Sequence, residues 1–254
     1  MKEVLQLEFQ LFLLALGRLT RFPIPSELPS SDDLDIRALR YYSLVGALVG
    51  LWGACALWGA ALFLPPFPAL LISLIATLMI TAAFHELGLA EVSEALGRGR
   101  SKPDVLDALQ KPPGLFGALV LGMVLMLKLS LLASLPVADA GLVLIVGLTL
   151  GQMASVHVVG TTPQARRIGM PAAVPSVTPD GYRIALAVGV LALSLIVIRW
   201  GPMAALFGFL GSVGLAQGFR KAFIAKLRGY TGACLGGVQQ FAELGFYLGL
   251  LVWL

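Results

Sequence analysis

Ionisable side chains that directly follow an apolar run are the first candidates for chemistry in this chain. Residues 84–97 read FHELGLAEVSEALG and hold three of its 14 acidic residues. Charged groups are costly to bury where a helix leaves a membrane, so such residues are functional candidates. Glu91 and Glu94 share a helix face, and together they could hold a hard cation such as Mg²⁺. An ordinary solvated helix end would look the same, and the spacing alone favours neither interpretation.

Three further residues in or near apolar runs could take part in catalysis or binding. His85 could act as a base or a ligand, since it titrates near neutral pH, and a structural hydrogen bond explains it equally well. Glu86 follows it directly. Lys128 sits more than halfway along a later apolar run, where an ammonium needs a partner or a water-filled cavity. We expect it to face the helix bundle and pair with Glu86, Glu91 or a ligand phosphate, and snorkelling to the interface is the alternative.

Basic and small residues in the loops could bind phosphate. Arg166 and Arg167 suit bidentate phosphate binding, although charge that only sets membrane topology would give the same pattern. Thr231 lies in a Gly-Tyr-Thr-Gly turn after the basic segment 220–228, where a helix start could receive an anion. Contact with lipid headgroups is the alternative for that segment. Glu243, in the last apolar run, is interpreted as a polar contact between helices.

The elements that position these residues are membrane helices. The chain has 254 residues, of which 58% are hydrophobic and 13% charged, and its mean hydropathy is +0.89. Several apolar runs reach the roughly 20 residues needed to cross a bilayer. We therefore predict an all-α fold: a polytopic integral membrane helical bundle formed by a single domain, residues 1–254. The sequence shows no cleaved signal peptide and no Walker or Rossmann motif, and its basic loops lack the interleaved aromatics of nucleic-acid binders.

Hydrophobic runs and Pro or Gly turns divide the chain into about seven crossings. An amphipathic helix over residues 3–17 precedes them. The second crossing is expected to run from about residue 67 into the stretch 84–97. The predicted crossings are 41–64, 67 onward, 114–135, 138–160, 182–199, 203–219 and 232 to the end.

The positions of the basic residues predict the orientation. All of the 18 lysines and arginines except Lys128 and Arg199 fall on alternate connections. The positive-inside rule then places the N-terminus in the cytoplasm and the C-terminus outside. It also predicts that Glu91, Glu94, the Arg166–Arg167 pair and the Thr231 turn converge on one polar cavity at the cytoplasmic side.

Three segments, in order along the chain, resemble the adenosylcobinamide-GDP ribazoletransferase (cobalamin synthase) family. They are residues 16–25 (LGRLTRFPIP), 85–91 (HELGLAE) and 229–236 (GYTGACLG). The resemblance implies a membrane enzyme that joins adenosylcobinamide-GDP to α-ribazole, or its phosphate, with Mg²⁺ and release of GMP. It implies the following roles: Glu91 and Glu94 hold the metal, His85 or Glu86 orients or deprotonates the hydroxyl, and Lys128, Arg166, Arg167 and Thr231 bind substrate.

The sequence departs from the family pattern at several acidic positions. Leu87 and Ala233 stand where the family has Asp, and Gln110 stands where it has the Asp of another motif. The alternative function is therefore a catalytically degenerate relative that binds a corrinoid precursor or acts as a membrane scaffold. The expected partners are the two substrates and the lipid bilayer, without nucleic acid; a homo-oligomer is left open.

Overall fold

The computed structural model describes residues 2–25, 28–165 and 177–254. Within these residues it is all α-helical, as predicted, and its one β-bridge, between Gln164 and Tyr230, is isolated. A 3₁₀ turn, Leu39–Tyr41, joins the second and third helices. The helices are α1 (Lys2–Leu19), α2 (Asp32–Ala38), α3 (Tyr42–Ala60), α4 (Pro66–Thr81), α5 (Phe84–Arg98), α6 (Lys102–Ala108), α7 (Leu115–Ala133), α8 (Val137–Thr161), α9 (Pro179–Trp200), α10 (Pro202–Leu227) and α11 (Gly232–Trp253).

The amphipathic N-terminal helix docks on the bundle. Leu11 and Ala15 are fully buried, whereas Phe9 is exposed. On its polar side Glu8 accepts hydrogen bonds from Arg40 (2.7 Å) and from the Tyr41 hydroxyl (2.8 Å). These contacts tie α1 to the 3₁₀ turn that leads into α3. Helix α1 therefore lies against the bundle.

The predicted second crossing is not one straight helix, because the chain breaks between α4 and α5. Ala82 and Ala83 adopt left-handed backbone angles (φ 55° and 52°), and the two helix axes meet at 86°. Non-glycine residues rarely adopt this conformation, and surrounding packing must hold them there. The bend turns the first residues of α5 into the bundle, so His85 and Glu86 are buried.

Glycines allow the closest helix contacts. A Cβ on Gly50 of α3 would lie 2.6 Å from the Ile145 Cα of α8. A Cβ on Gly236 of α11 would lie 2.8 Å from the His85 carbonyl oxygen. Any side chain at either position would push the backbones apart. The α5–α11 contact is therefore what fixes the position of His85.

Five helices of the described chain are long and apolar enough to cross a membrane. The bent pair α4–α5 makes a sixth span if it is counted as one. These helices identify an integral membrane protein. Helix α11 occupies the predicted seventh crossing but is not among the five; it carries Gln239, Gln240 and Glu243 in its middle. The count of seven and the orientation of the termini remain predictions.

Candidate active site

A buried polar network joins α5, α7 and α11. Lys128 of α7 is only 5% exposed, and its ammonium lies 2.8 Å from Glu243 Oε2 and 2.9 Å from Gln240 Oε1. The prediction that Lys128 faces the bundle is confirmed. The prediction that Lys128 pairs directly with Glu86 or Glu91 is wrong, because its ion pair is with Glu243. Glu243 thus makes the contact between helices that the sequence indicated.

The amides of α11 extend this network to α5. Gln239 donates to Glu243 Oε2 (3.0 Å), and Tyr247 donates to its Oε1 (2.6 Å). Gln240 donates to Glu86 Oε1 (2.7 Å) and to Gln239 Oε1 (2.8 Å). Glu86 and Lys128 are therefore connected through Gln240 instead of touching. Such a chain of hydrogen bonds in a low-dielectric interior gives each side chain a defined position.

His85 stands in the wall between two cavities. Its Nε2 lies 2.6 Å from Gln152 Nε2 on α8. Since an amide nitrogen only donates, Nε2 is the acceptor and the ring is neutral with its proton on Nδ1. The larger cavity has a volume of about 360 Å³, within the range of small-molecule sites of about 300–1,000 Å³. Its lining comprises Arg18, Leu19, Leu39, Tyr42, Phe84, His85, Gln152, Ser155, Val156, Val159, Gly232, Leu235 and Gly236.

Two groups that could attract an anion line this larger cavity: the start of α11 at Gly232 and the guanidinium of Arg18. Gly232 is the first residue of α11, and the preceding Thr231 makes no side-chain capping bond to the helix. Its hydroxyl instead lies 3.3 Å from Cys234 Sγ. The first N–H groups of this 22-residue helix therefore have no capping side chain and are available to bind an anion. The hydrogen bond and charge of Asp35, whose Oδ2 lies 2.6 Å from the Arg18 guanidinium, raise the pKa of Arg18.

The Thr231 turn is pinned to the loop that leads to the two arginines. The Ala165 N–H donates to the Tyr230 carbonyl (2.7 Å), and the Tyr230 N–H donates to the Pro163 carbonyl (2.9 Å). Ala165, the last described residue before the two arginines, therefore lies beside this turn. Arg166 and Arg167 lie outside the described residues.

Glu91 and Glu94 do not line either of the cavities next to His85. The Oε2 of buried Glu94 accepts the Gly117 N–H (2.7 Å), and its Oε1 pairs with Arg98. In the part of the chain that is described, no three His, Cys, Asp or Glu side chains are grouped to hold a metal. With both oxygens of Glu94 committed, this arrangement does not fit Mg²⁺ as it lies. Binding of Mg²⁺ at Glu91 and Glu94 remains a prediction.

Comparison with known proteins identifies the family. Residues 11–251 match the family described as cobalamin-5-phosphate synthase. The chain belongs to this family. It is 34% identical over 252 residues to the adenosylcobinamide-GDP ribazoletransferase of Shewanella baltica, covering 96% of this chain and 95% of that relative. The proteins of the same name from Shewanella pealeana and Vibrio vulnificus are 34% and 32% identical and each match 97% of this chain, with 96% and 97% of the relative covered. No solved structure matches the chain.

The sequence interpretation assigned no functional role to three residues of the site. Arg18 lies in a segment that carried the family resemblance but received no role. Gln152 and Gln240 are polar residues inside apolar runs, and an intramembrane amide that needs a partner is itself a signal. Their partners, however, lie on other helices, so spacing along the chain could not pair them.

Proposed function

We propose that this protein transfers the phosphate-linked corrinoid group of adenosylcobinamide-GDP to α-ribazole, or its phosphate, with release of GMP, in a bacterial cytoplasmic membrane. The names of its relatives support a transferase of this kind. The observation that carries the proposal is the larger cavity, which brings His85, Arg18 and the uncapped start of α11 together. A base and two anion-attracting groups in one cavity are what an attack on a pyrophosphate requires.

The proposed reaction exchanges one phosphorus–oxygen bond for another. The ribazole hydroxyl oxygen attacks the phosphorus attached to the corrinoid, and the bond from that phosphorus to the GMP oxygen breaks. GMP leaves with the electron pair, and the hydroxyl proton moves to His85 Nε2. Because Gln152 donates to that nitrogen at 2.6 Å, its amide must first move away, so that the lone pair of Nε2 faces the ribazole hydroxyl.

In this proposal, groups that line the larger cavity stabilise the negative charge of the pyrophosphate. The N–H groups that follow Thr231 supply partial positive charge there. The guanidinium of Arg18 adds to it once Asp35, which pairs with it at 2.6 Å, releases it. Arg166 and Arg167, which follow the segment pinned beside Thr231, add to it in the proposal. Lys128 is committed to Glu243 and deeply buried, so we assign it a positioning role instead of a contact with phosphate.

A turnover assay of the full chain in lipid, with adenosylcobinamide-GDP, α-ribazole and Mg²⁺, tests the proposal. His85→Gln should lower kcat by about 10²-fold or more, the usual contribution of a general base, with little change in KM. His157→Gln is the matched control, since His157 hydrogen-bonds Tyr182 (2.7 Å) and lines a different cavity. Equal loss in both variants would contradict a specific role for His85.

The second candidate is a non-catalytic relative that binds a corrinoid precursor or scaffolds a partner. Leu87, Gln110 and Ala233, at positions where the family pattern has acids, favour it. The same assay separates the two functions. Tight binding of adenosylcobinamide-GDP without GMP release, over the full range of Mg²⁺ concentration, would establish the second and overturn the first.

A further inference from the structure

A second, much smaller cavity lies at the break between α4 and α5, on the far side of His85. Its volume is about 30 Å³, and a single water needs about 10–15 Å³ on this scale. It holds one water-sized occupant comfortably, or two at most, and no organic ligand. Polar groups on its wall come from four helices: Ser73, Thr77 and Thr81 on α4, His85 and Glu86 on α5, Lys128 on α7, and Gln239 and Glu243 on α11.

One carboxylate oxygen on this cavity has no partner. Glu86 is 9% exposed, and its Oε1 accepts from Gln240, but its Oε2 is buried without any hydrogen bond. A buried, unsatisfied oxygen of a carboxylate is costly, because it has lost its water and gained nothing. Since Glu86 lines the cavity, the occupant of the cavity is the group available to satisfy that oxygen.

The charges around the cavity do not balance. Glu86 and Glu243 bring two negative charges, and Lys128 brings one positive charge that Glu243 Oε2 meets at 2.8 Å. His85 is neutral with Gln152 donating to its Nε2, and Tyr247 acts as a donor to Glu243. One negative charge is therefore left in the interior of a membrane bundle, where an uncompensated charge is strongly disfavoured. A water would satisfy Glu86 Oε2 but would leave this charge in place, whereas a cation in the cavity or a proton on the carboxylate removes it.

We propose that this cavity is a binding site for one small monovalent cation of the size of Na⁺. Glu86 Oε2 supplies the charged ligand. The hydroxyl of Thr81 donates to the carbonyl of Thr77 (2.8 Å), so its lone pairs remain free to coordinate. The C-terminal end of α4 adds the negative end of its helix dipole.

Both the size of the cavity and its ligands select against other ions. Mg²⁺ keeps several of its waters, and those do not fit in this volume. Transition metals prefer His and Cys ligands, which the described residues do not group here. Broken membrane helices supply coupling-ion sites in other membrane proteins for the same electrostatic reason. The bound cation would lock the α4–α5 junction and so hold His85 at the wall of the larger cavity.

Thermal unfolding of the full chain in detergent tests the site without any need for turnover. The midpoint is measured against increasing Na⁺, with N-methyl-glucamine replacing it at constant ionic strength and pH. A ligand that binds only the folded state raises the midpoint as its concentration exceeds Kd, so we expect a saturable rise of several degrees. Equilibrium binding of radiolabelled Na⁺ should saturate at one ion per chain.

Two variants and one control make the test specific. Glu86→Gln keeps the shape but removes the charge, and should abolish both the rise and the binding. Thr81→Val, which removes one neutral ligand, should shift the Na⁺ midpoint to several-fold higher concentration and serves if the first variant does not fold. Glu8→Gln, at a carboxylate paired with Arg40 on α1, should change neither. An unfolding midpoint that is the same in Na⁺ and N-methyl-glucamine, or a Na⁺ effect that survives in both site variants, would overturn the proposal.

Discussion

At the scale of the residue, the ion pair between Lys128 and Glu243 is the interaction on which the centre of the bundle depends most. The two side chains are 6% and 2% exposed, so neither charge can be solvated if the other is removed. Gln239, Gln240 and Tyr247 supply the remaining hydrogen bonds. A buried pair satisfied in this way fixes geometry even where it adds little net stability.

Lys128→Met should destabilise the protein by about 3–5 kcal/mol, the usual cost of leaving one buried charge alone. The measurement is thermal or denaturant unfolding in detergent. The double variant Lys128→Met, Glu243→Gln should recover much of the loss, because it removes both charges. Arg183→Met is the control, since its pair with Asp180 is largely exposed and should matter little. A double variant as unstable as the single one would show that packing of the lysine stem, not charge, is decisive.

The Mg²⁺ prediction also belongs to single residues. Wild type should bind Mg²⁺ weakly, because Arg98 must leave Glu94 before the metal can approach. Leu87→Asp with Ala233→Asp should bind it more tightly, since each added carboxylate replaces a metal-bound water. Leu87 is 47% exposed, so its substitution removes little packing inside the bundle. Calorimetric titration, with thermal stability measured alongside, decides: equal affinity in wild type, Glu91→Ala and the double variant would show that this face is not a metal site.

At the scale of the element, the break between α4 and α5 determines where the site lies. An uninterrupted helix would carry His85 and Glu86 along the axis of α4. The 86° bend instead directs α5 across the bundle and against α11. Two alanines hold this bend with positive φ, a conformation that costs an L-residue roughly 1–2 kcal/mol.

Substitution by glycine should therefore change the stability in opposite directions at the junction and inside α4. Ala83→Gly relieves the strain and should leave stability unchanged or raise it by up to about 1 kcal/mol, after the greater entropy of glycine in the unfolded chain is subtracted. Ala76→Gly, inside α4, should lower it by about 1 kcal/mol. Ala83→Val should be more harmful than either. Unfolding midpoints of the three variants check the order, and destabilisation by Ala83→Gly would argue against the left-handed junction.

At the scale of the whole molecule, topology follows from the distribution of charge. Alternate connections carry nearly all lysines and arginines, and the larger cavity contains Arg18 and the start of α11, both on connections predicted to be cytoplasmic. A water-soluble nucleotide product could then leave directly into the cytoplasm.

The orientation prediction is a cytoplasmic N-terminus and an external C-terminus, with an odd number of crossings. A reporter that is active only in the cytoplasm should be inactive when fused after Leu254 and active when fused before α1. The physical reason is that lysine- and arginine-rich loops are retained on the cytoplasmic side during insertion. Activity of the C-terminal fusion would show that one predicted crossing, α11 or the bent α4–α5 pair, does not traverse the bilayer.

The sequence alone was sufficient to predict the helices and the family. Apolar runs of membrane length, ended by prolines and glycines such as Pro65 and Pro136, mark most helix boundaries, because proline and the bilayer act locally on the chain. This local reasoning did not predict the break between α4 and α5. The Ala82–Ala83 break has no glycine or proline to announce it, so the apolar run read as continuous.

Which polar side chains meet was decided only by the tertiary structure. Lys128 and Glu86 each had several acceptable partners in the sequence, and the actual ones, Glu243 and Gln240, lie on the last helix. The pairing depends on how α5, α7 and α11 pack, which glycines such as Gly88 and Gly236 allow but do not specify by themselves. Local physical chemistry determined that these charges need partners; the angle of one helix break determined which partners and which cavities they reach.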